Sequence, residues 1–461
     1  MIDQAIANAE AAFETYAALP PAKIAEFLET IASEILALGD ALIECASAET
    51  ALTTDRLTGE RGRTVNQLKL FAEVVRQGLW KDVRIDRALP DRKPLRRPDL
   101  RRTLVPIGPV AVWAASNFPL AFSVAGGDTA SALAAGCPVI LKAHPGHPKT
   151  SAMVADAIKK VVATLGLAEG VFSLVEGASP EISLALVRHP GIKAGAFTGS
   201  LRAGRALFDA ANQRPEPIPF FAEMGSVNPL FVLEGALQER ADAMAEGLAQ
   251  SVNMGVGQFC TSPGLAIGIT SPAFDRFAEQ LRARFQQSKA GKMLTEAIAH
   301  SYSNSTVHIE KIAGISATKG EGSPAPVLFE SDAATFLANP DLRHEVFGPS
   351  TILVRCSSQE QMEKVARSLE GSLTATIHGT DEDLRKQPTL RTIFMRKAGR
   401  LIFNGFPTGV EVCAAMQHGG PYPATTDARF TSVGTAAIAR FARPVCFQDV
   451  PTKFLPSELR D

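Results

Sequence analysis

Three polar residues far apart in the chain have the types that nucleophilic catalysis requires. A cysteine nucleophile needs a nearby base, a donor for the developing oxyanion and, if hydride is to leave, an acceptor for it. Cys260 lies in Gly255-Val256-Gly257-Gln258-Phe259-Cys260-Thr261-Ser262-Pro263, a glycine-bearing stretch that reads as loop rather than helix. Glu223, in Phe221-Ala222-Glu223-Met224-Gly225-Ser226, closes a short apolar strand and is the candidate base. Asn117, in Ala115-Ser116-Asn117-Phe118-Pro119-Leu120, stands at the carboxyl end of a buried strand, where α/β sheets place their ligands, and is the candidate oxyanion donor. Each has a plainer reading: a loop cysteine is usually an inert thiol, a strand-end glutamate a solvated charge, an asparagine a turn residue.

The hydride acceptor would be a dinucleotide. Phe197-Thr198-Gly199-Ser200 follows a strand and opens a helix around Arg202 to Phe208. Backbone amides at a helix N-terminus suit a pyrophosphate, and Gly199 lets it come close, so Thr198, Gly199 and Ser200 are candidate cofactor residues. The G-x-G-x-x-G fingerprint is absent, and Thr-Gly-Ser turns are common. Lys142 ends the strand Pro138-Val139-Ile140-Leu141, from where it reaches ribose hydroxyls or a phosphate; its plainer reading is a solubilising strand end.

The elements that must position these residues show two kinds of period. Asp3 caps a helix over 4–18, Pro21 opens a second carrying Ile24, Phe27, Leu28, Ile31 and Ile35 on one face, and a third spans 59–80. Short apolar runs then alternate with helices: Val110 to Trp113, Pro138 to Leu141, Val171 to Leu174, Lys193 to Phe197. A second series runs through Pro229 to Leu233, Leu265 to Ile269, Thr351 to Val354 and Leu401 to Phe403. Strands joined by helical crossovers predict two parallel-sheet α/β domains. The basic, proline-punctuated stretch from Asp91 to Arg102 has no interleaved aromatics, so it reads as an edge ribbon or intersubunit strand rather than a nucleic-acid site.

With 461 residues the chain is long for one core and predicts several domains. A net charge of -1 supplies no global field for nucleic acid or acidic membranes. The first residues lack a basic and apolar leader, and the most apolar stretch, 104–125, is broken by prolines, so neither a secretory signal nor a membrane span is expected and the predicted location is cytoplasmic. The six cysteines are scattered without a CxxC pair or compact His/Cys cluster, which predicts no disulfide framework and no metal.

In order along the chain, Asn117 before Phe118-Pro119, Lys142, the 197–200 turn, Glu223, Cys260 and Glu345-Val346-Phe347-Gly348-Pro349 resemble the motifs of the aldehyde dehydrogenase superfamily, over residues 3–455. The resemblance implies NAD(P)-dependent oxidation of an aldehyde to a carboxylate through a thioester on Cys260. Asn117 and the Cys260 amide would hold the oxyanion, and Glu223 would activate the hydrolytic water. Glu345 would bind the nicotinamide ribose, Phe347 would pack near that ring, Lys142 would contact the adenosine ribose and Ser200 the pyrophosphate. It also implies a Rossmann-like cofactor domain (1–87 and 107–223), a catalytic domain (224–435) and a small β ribbon (88–106 and 436–461) that builds a homodimer or homotetramer. Relative to that family the first strands are expected to be absent.

Departures narrow the subgroup. Ser116, expected beside the cofactor, replaces a common tryptophan, and Lys142-Ala143-His144-Pro145 lacks the glutamate that in many relatives binds the ribose 2′-OH. Without that acid NADP becomes the expected cofactor, with NAD also within reach. The stretches 115–123, 407–413 and 417–426 resemble 2-oxoglutarate semialdehyde (2,5-dioxovalerate) dehydrogenases, which implies an oxo-acid semialdehyde substrate. Such a carboxylate needs a cation near the tunnel mouth, and Arg61 and Arg63, at the start of an early helix, are the candidates, with Phe259 beside the nucleophile. The alternatives are a broad aliphatic or fatty aldehyde dehydrogenase and, from another class, a catalytically silent binding protein on the same fold.

Overall fold

The computed structural model describes residues 2–460. Four helices open the chain: α1 (Ile2–Ala17), α2 (Pro21–Ala37), α3 (Gly39–Thr50) and α4 (Thr54–Gln77). Pro21 starts α2 because its missing N–H is one that a first turn leaves unpaired anyway. Three details correct the sequence reading. Asp3 sits inside the first turn of α1 rather than capping it. α3 was not anticipated, since it follows α2 after one residue and has only a short apolar stripe at Leu42, Ile43 and Ala46. α4 begins at Thr54, not Gly59, because the Thr53 hydroxyl accepts from the Arg56 amide and caps it; Gly59 and Gly62 lie within the helix. Arg61 and Arg63 are therefore mid-helix.

Next come β1 (Arg84–Asp86) and β2 (Leu100–Pro106), which pair antiparallel. Only the end of the basic stretch becomes strand; residues 91–96 are exposed loop, and Arg97 forms an isolated bridge with Leu89.

The first parallel sheet holds β3 (Val110–Trp113), β4 (Val139–Lys142), β5 (Phe172–Val175), β6 (Ala194–Thr198) and β7 (Phe220–Glu223) in the order β5-β4-β3-β6-β7. Its crossovers carry α5 (Gly127–Ala134), α6 (Pro148–Thr164), α7 (Pro180–Arg188) and α8 (Leu201–Asn212). β3 and β4 are buried throughout, which is why they read as unbroken apolar runs rather than alternating ones. The strand order reverses at β3, and a crevice opens at the carboxyl edge of a sheet at such a switch. Asn117 follows β3, while Lys142, Thr198 and Glu223 end β4, β6 and β7, so all four leave the sheet at that edge.

The second sheet contains β8 (Leu230–Val232), β9 (Leu265–Ile269), β10 (Ser316–Lys319), β11 (Val327–Asp332), β12 (Ser350–Cys356), β13 (Ser372–His378) and β14 (Ala398–Phe403). Their order is β10-β11-β12-β9-β8-β13-β14, parallel except for β10. Helices α9 (Glu234–Asn253) and α10 (Pro272–Gln287) bury an aromatic core that includes Phe274, Phe277 and Phe285, whereas α11 (Glu296–Glu310) begins over the first sheet's edge. The last strand, β15 (Ala442–Gln448), returns to pair antiparallel with β2. No helix among the described residues is long and apolar enough to cross a membrane.

Candidate active site

A cavity of about 580 Å³ lies between the carboxyl edge of the first sheet and the start of α11. Ser116, Asn117, Thr198, Gly199, Ser200, Glu223, Cys260, Glu345 and Phe347 all line it. Residues separated by more than two hundred positions thus share one wall. A larger open cleft of about 930 Å³, beside β8 and the residues after β13, carries mixed charges and none of these groups.

Cys260 reaches the cavity through an unusual turn. Gly255, Val256 and Gly257 have successive φ angles of 56, 58 and 65°. For Val256, a β-branched residue, that left-handed conformation costs about 1–3 kcal/mol and persists only because its surroundings impose it. Gly257 has no substitute: a Cβ there would lie 2.2 Å from the carbonyl carbon of Gly348. This close approach seats the Cys260 loop directly on the Glu345–Pro349 loop. From the other side Asn228 Nδ2 donates to the carbonyls of Cys260, at 2.8 Å, and Ser262, at 3.0 Å.

Glu223 is 3% exposed, so the solvated strand end is not what the fold makes of it. Its Oε1 lies 2.9 Å from His418 Nε2, and its Oε2 accepts from the Ser432 hydroxyl. Burial drives the Glu223 carboxyl upward, but His418, Ser432 and the Cys260 thiol outweigh it and hold the group below the usual carboxylate range. An ionised carboxylate only accepts, so the hydrogen is assigned to Nε2 of His418, in a close polar contact rather than an aligned hydrogen bond. The same Nε2 is 3.5 Å from Cys260 Sγ. Burial and the negative charge of Glu223 push the Cys260 thiol well above its ordinary value, with Glu345 adding to the effect and Arg63 opposing it. His418 and Ser432 come from the segment that runs across the first sheet, where Met224 N–H donates to the Ala424 carbonyl at 2.8 Å. Sequence reasoning quoted His418 within a motif but gave it no role, because nothing in its neighbourhood reveals a partner more than 150 residues away.

Asn117 Nδ2 donates one hydrogen to the Gln258 carbonyl at 3.1 Å, which leaves its second for a ligand. Its loop is gripped from α4. Glu60, 4% exposed, accepts from the amides of Leu120 at 2.8 Å and Ala121 at 3.0 Å. Arg56 donates to the Asn117 carbonyl at 3.1 Å, and its guanidinium lies 4.5 and 4.7 Å from the ring centres of Phe118 and Phe259. Phe259 accordingly packs with Phe118 behind the nucleophile and does not line the cofactor-side cavity. Arg56 and Glu60 escaped the sequence reading because Gly59 and Gly62 suggested a helix start rather than a helix interior.

At the far end, Ser200 caps α8 by accepting from the Ala203 amide at 3.3 Å. Its side chain is thus engaged, and a pyrophosphate would meet the amides of the first turn. Gly225 is demanded by its surroundings, since a Cβ there would fall 2.7 Å from Glu345 Oε2. Glu345 accepts weakly from the Ser226 amide, at 3.3 Å, and burial raises its carboxyl to about 7. The residues present fit a dinucleotide: bare backbone at 199 and 225, a helix N-terminus at one end and the thiol at the other. Lys142 is 7% exposed and lies behind the lining rather than in it; burial, then His147 and Lys142, depress the neighbouring His144. His144, unremarked in the sequence, supplies the lining there.

The two arginines separate. Arg61 donates to the Gly39 carbonyl at 2.6 Å, holding α4 to the start of α3, which corrects its expected place at the tunnel. Arg63 approaches Cys260: its guanidinium lies 5.3 Å from the Phe122 ring centre, Cys260 and Glu223 both act on its charge, and it also lines a separate cavity of about 550 Å³ with Val410 and Glu411. One nitrogen donates to the Val410 carbonyl at 3.0 Å, while Nε and Nη2 are buried without a partner. Arg400 holds the same segment through the carbonyls of Gly409 and Pro407, at 3.0 and 2.7 Å.

Comparison with known proteins gives a consistent result. The profile described as "Aldehyde dehydrogenase family" matches residues 1–421. The chain is 51% identical over 466 residues to alpha-ketoglutaric semialdehyde dehydrogenase 2 of Azospirillum brasilense, covering 100% of this chain and 89% of that protein. It is 48% identical over 467 residues to alpha-ketoglutaric semialdehyde dehydrogenase of Acinetobacter baylyi, covering 100% and 88%. Among solved structures, a 1-pyrroline-5-carboxylate dehydrogenase superposes with a TM-score of 0.81 at 22% identity over 97% of this chain and 85% of that one. A 3,6-anhydro-L-galactose dehydrogenase in complex with NAP gives 0.80 at 19% identity, over 97% and 91%. These structural likenesses show the shared two-domain α/β architecture.

Proposed function

The chain belongs to the aldehyde dehydrogenase family, enzymes that oxidise aldehydes with a nicotinamide dinucleotide, and we propose that its substrate is 2-oxoglutarate semialdehyde and its product 2-oxoglutarate. The observation that carries the substrate is Arg63, a guanidinium with two buried, unpartnered nitrogens, close enough to Cys260 and Glu223 for their charges to act on it. Buried donors of a cation are costly unless an anion meets them, and a substrate carboxylate supplies one in the planar geometry arginine prefers. Full-length identity of about half to two semialdehyde dehydrogenases supports the same reading.

In this reading Cys260 Sγ attacks the aldehyde carbon, its proton passing to solvent, while the free hydrogen of Asn117 Nδ2 meets the developing oxyanion. Thr198, Gly199, Ser200 and Glu345 would hold a dinucleotide, with Phe347 against its ring, and that group would supply the hydride acceptor. Glu223 then takes a proton from water as the water attacks the thioester, and Cys260 departs as thiolate beside the N–H of His418. His418 and Ser432 act as positioning residues, since each bonds one oxygen of Glu223. NADP is the preferred dinucleotide in this proposal: Pro145 stands where an acid would repel a 2′-phosphate, and Lys142 supplies a nearby cation.

The rings of Phe118, Phe122 and Phe259 around Arg63 favour a second reading, a broad alkanal dehydrogenase. One experiment separates them. Formation of NADPH and NADH is followed with 2-oxoglutarate semialdehyde, succinate semialdehyde and alkanals, for the native chain and Arg63→Ala. The semialdehyde with NADP should give the highest kcat/KM, and the substitution should cost it about 2–3 kcal/mol, roughly 30–150-fold, mostly in KM. Propanal should change little. Equal losses on both substrates would remove Arg63 from recognition, and a preference for long alkanals would favour the second reading.

The ribbon of β1, β2 and β15 is proposed as the oligomer contact, in the cytoplasm, where free cysteines stay reduced. Leu79, Leu95 and Phe454 are 82, 74 and 69% exposed around it, too much apolar surface to leave in water without purpose. Sedimentation at micromolar concentration should show a dimer or tetramer; a monomer would overturn this assignment.

A further inference from the structure

Cys260, His418 and Glu223 meet with a second consequence that the oxidation of aldehydes does not use. We propose that they form a reversible three-donor site for a thiophilic divalent cation, zinc in the first place, whose binding closes the nucleophile.

The donor set is one thiol sulfur, one imidazole nitrogen and one carboxylate oxygen, which soft and borderline ions prefer to magnesium or calcium. Sγ to Nε2 is 3.5 Å, Nε2 to Oε1 is 2.9 Å, and all three donor atoms lie within 4.8 Å of one another. A tetrahedral zinc with bonds of about 2.3 Å to sulfur and ~2.1 Å to nitrogen and oxygen separates its donors by roughly 3.3–3.6 Å, so the nitrogen and oxygen need part by only a few tenths of an ångström. The remaining position faces the cavity that Cys260 and Glu223 line, where water completes four-coordination. This is the open arrangement of a three-ligand zinc site rather than the closed one of a structural site.

The surroundings also hold the ligands in place. The Ser432 hydroxyl bonds the other oxygen of Glu223 and the Ser432 amide donates to the His418 carbonyl at 2.8 Å, while the His418 amide donates to Thr431 Oγ1 at 2.9 Å. Partners of this kind orient ligands and strengthen a metal site. On binding, the Cys260 thiol releases its proton to solvent, the His418 ring shifts its hydrogen from Nε2 to Nδ1 so that the Nε2 lone pair meets the metal, and no electron is transferred. One thiolate and one carboxylate balance the two charges of the ion. The spacing of residues 223, 260 and 418 gave no sign of this in the sequence, where no metal cluster was expected.

The metal site needs only the three donors; its inhibitory effect rests on the reading of Cys260 as nucleophile. The test is a cobalt(II) titration of the cofactor-free full chain, followed by absorbance, with zinc inhibition measured in parallel. One cobalt per chain should bind with a thiolate-to-metal charge-transfer band and the intense d–d bands of a four-coordinate ion. Cys446→Ser, at an exposed thiol, should keep the band; Cys260→Ala should lose it, and His418→Ala should bind at least about 10-fold more weakly. Zinc should inhibit competitively with aldehyde and be reversed by a chelator, and magnesium should do neither. Absence of the band, its persistence in Cys260→Ala, or equal zinc affinity in His418→Ala would overturn the proposal. A Cys260-dependent band in a protein whose turnover survives loss of Cys260 would uphold the metal site and remove the nucleophile.

Discussion

Cys260→Ala is expected to leave a folded protein that binds dinucleotide and oxidises no aldehyde. The fold should survive because the turn is held by backbone groups: Asn228 bonds the carbonyls of residues 260 and 262, and Gly257 rests on Gly348. Covalent capture, by contrast, has no substitute. Asn117 and the cavity still bind a carbonyl compound, but without the thiolate no tetrahedral centre forms from which hydride can leave. A fall in kcat of at least about 10⁴-fold, ~5.4 kcal/mol, is expected. Absorbance of NADPH and NADH reads turnover, and quenching of protein fluorescence reads cofactor binding. Turnover above a hundredth of the native rate would remove Cys260 from the chemistry.

Glu223→Gln is expected to split the reaction at its middle. Glutamine keeps the size and the hydrogen bond from Ser432 but takes no proton, so water is no longer activated in the dry end of the cavity. In rapid mixing, a burst of reduced cofactor approaching one equivalent per active site should be followed by a steady rate about 10²–10³-fold below native. The thioester should then be trapped on Cys260 and visible as added mass. A slow, linear trace without a burst would place the essential work of Glu223 before hydride transfer, in deprotonating the thiol. That outcome has a physical basis of its own, since burial and the Glu223 charge both hold the thiol proton on and leave the thiol in need of a base.

What was legible before the structure follows from the range of the signals involved. The first sheet's strands declare themselves through runs such as Val110 to Trp113, because parallel strands covered on both faces are apolar at every position. The residues that end those strands were legible for the same reason: a polar group after a buried run marks the sheet's carboxyl edge. Arg61 and Arg63 could be found but not told apart, since two residues of one helix differ only in what faces them. His418, Ser432, Glu60 and Arg56 were not legible as site residues. Each owes its place to contacts across domains or between a helix and a distant loop, and no local period records such pairings.

Glu60 and Arg63 stand one turn apart on α4, the first clamping the Asn117 loop and the second carrying a guanidinium on which the charge of Cys260 acts. On the proposed reading, tail recognition and preorganisation of the oxyanion donor share a single turn of helix. Sliding α4 to fit a longer or bulkier aldehyde would slacken the loop that stabilises the transition state, so such drift carries a rate penalty with it. Replacing the side chain at position 63 leaves the backbone and the Glu60 clamp untouched. Divergence of substrate range on this scaffold is thereby channelled into side-chain exchange on a stationary helix.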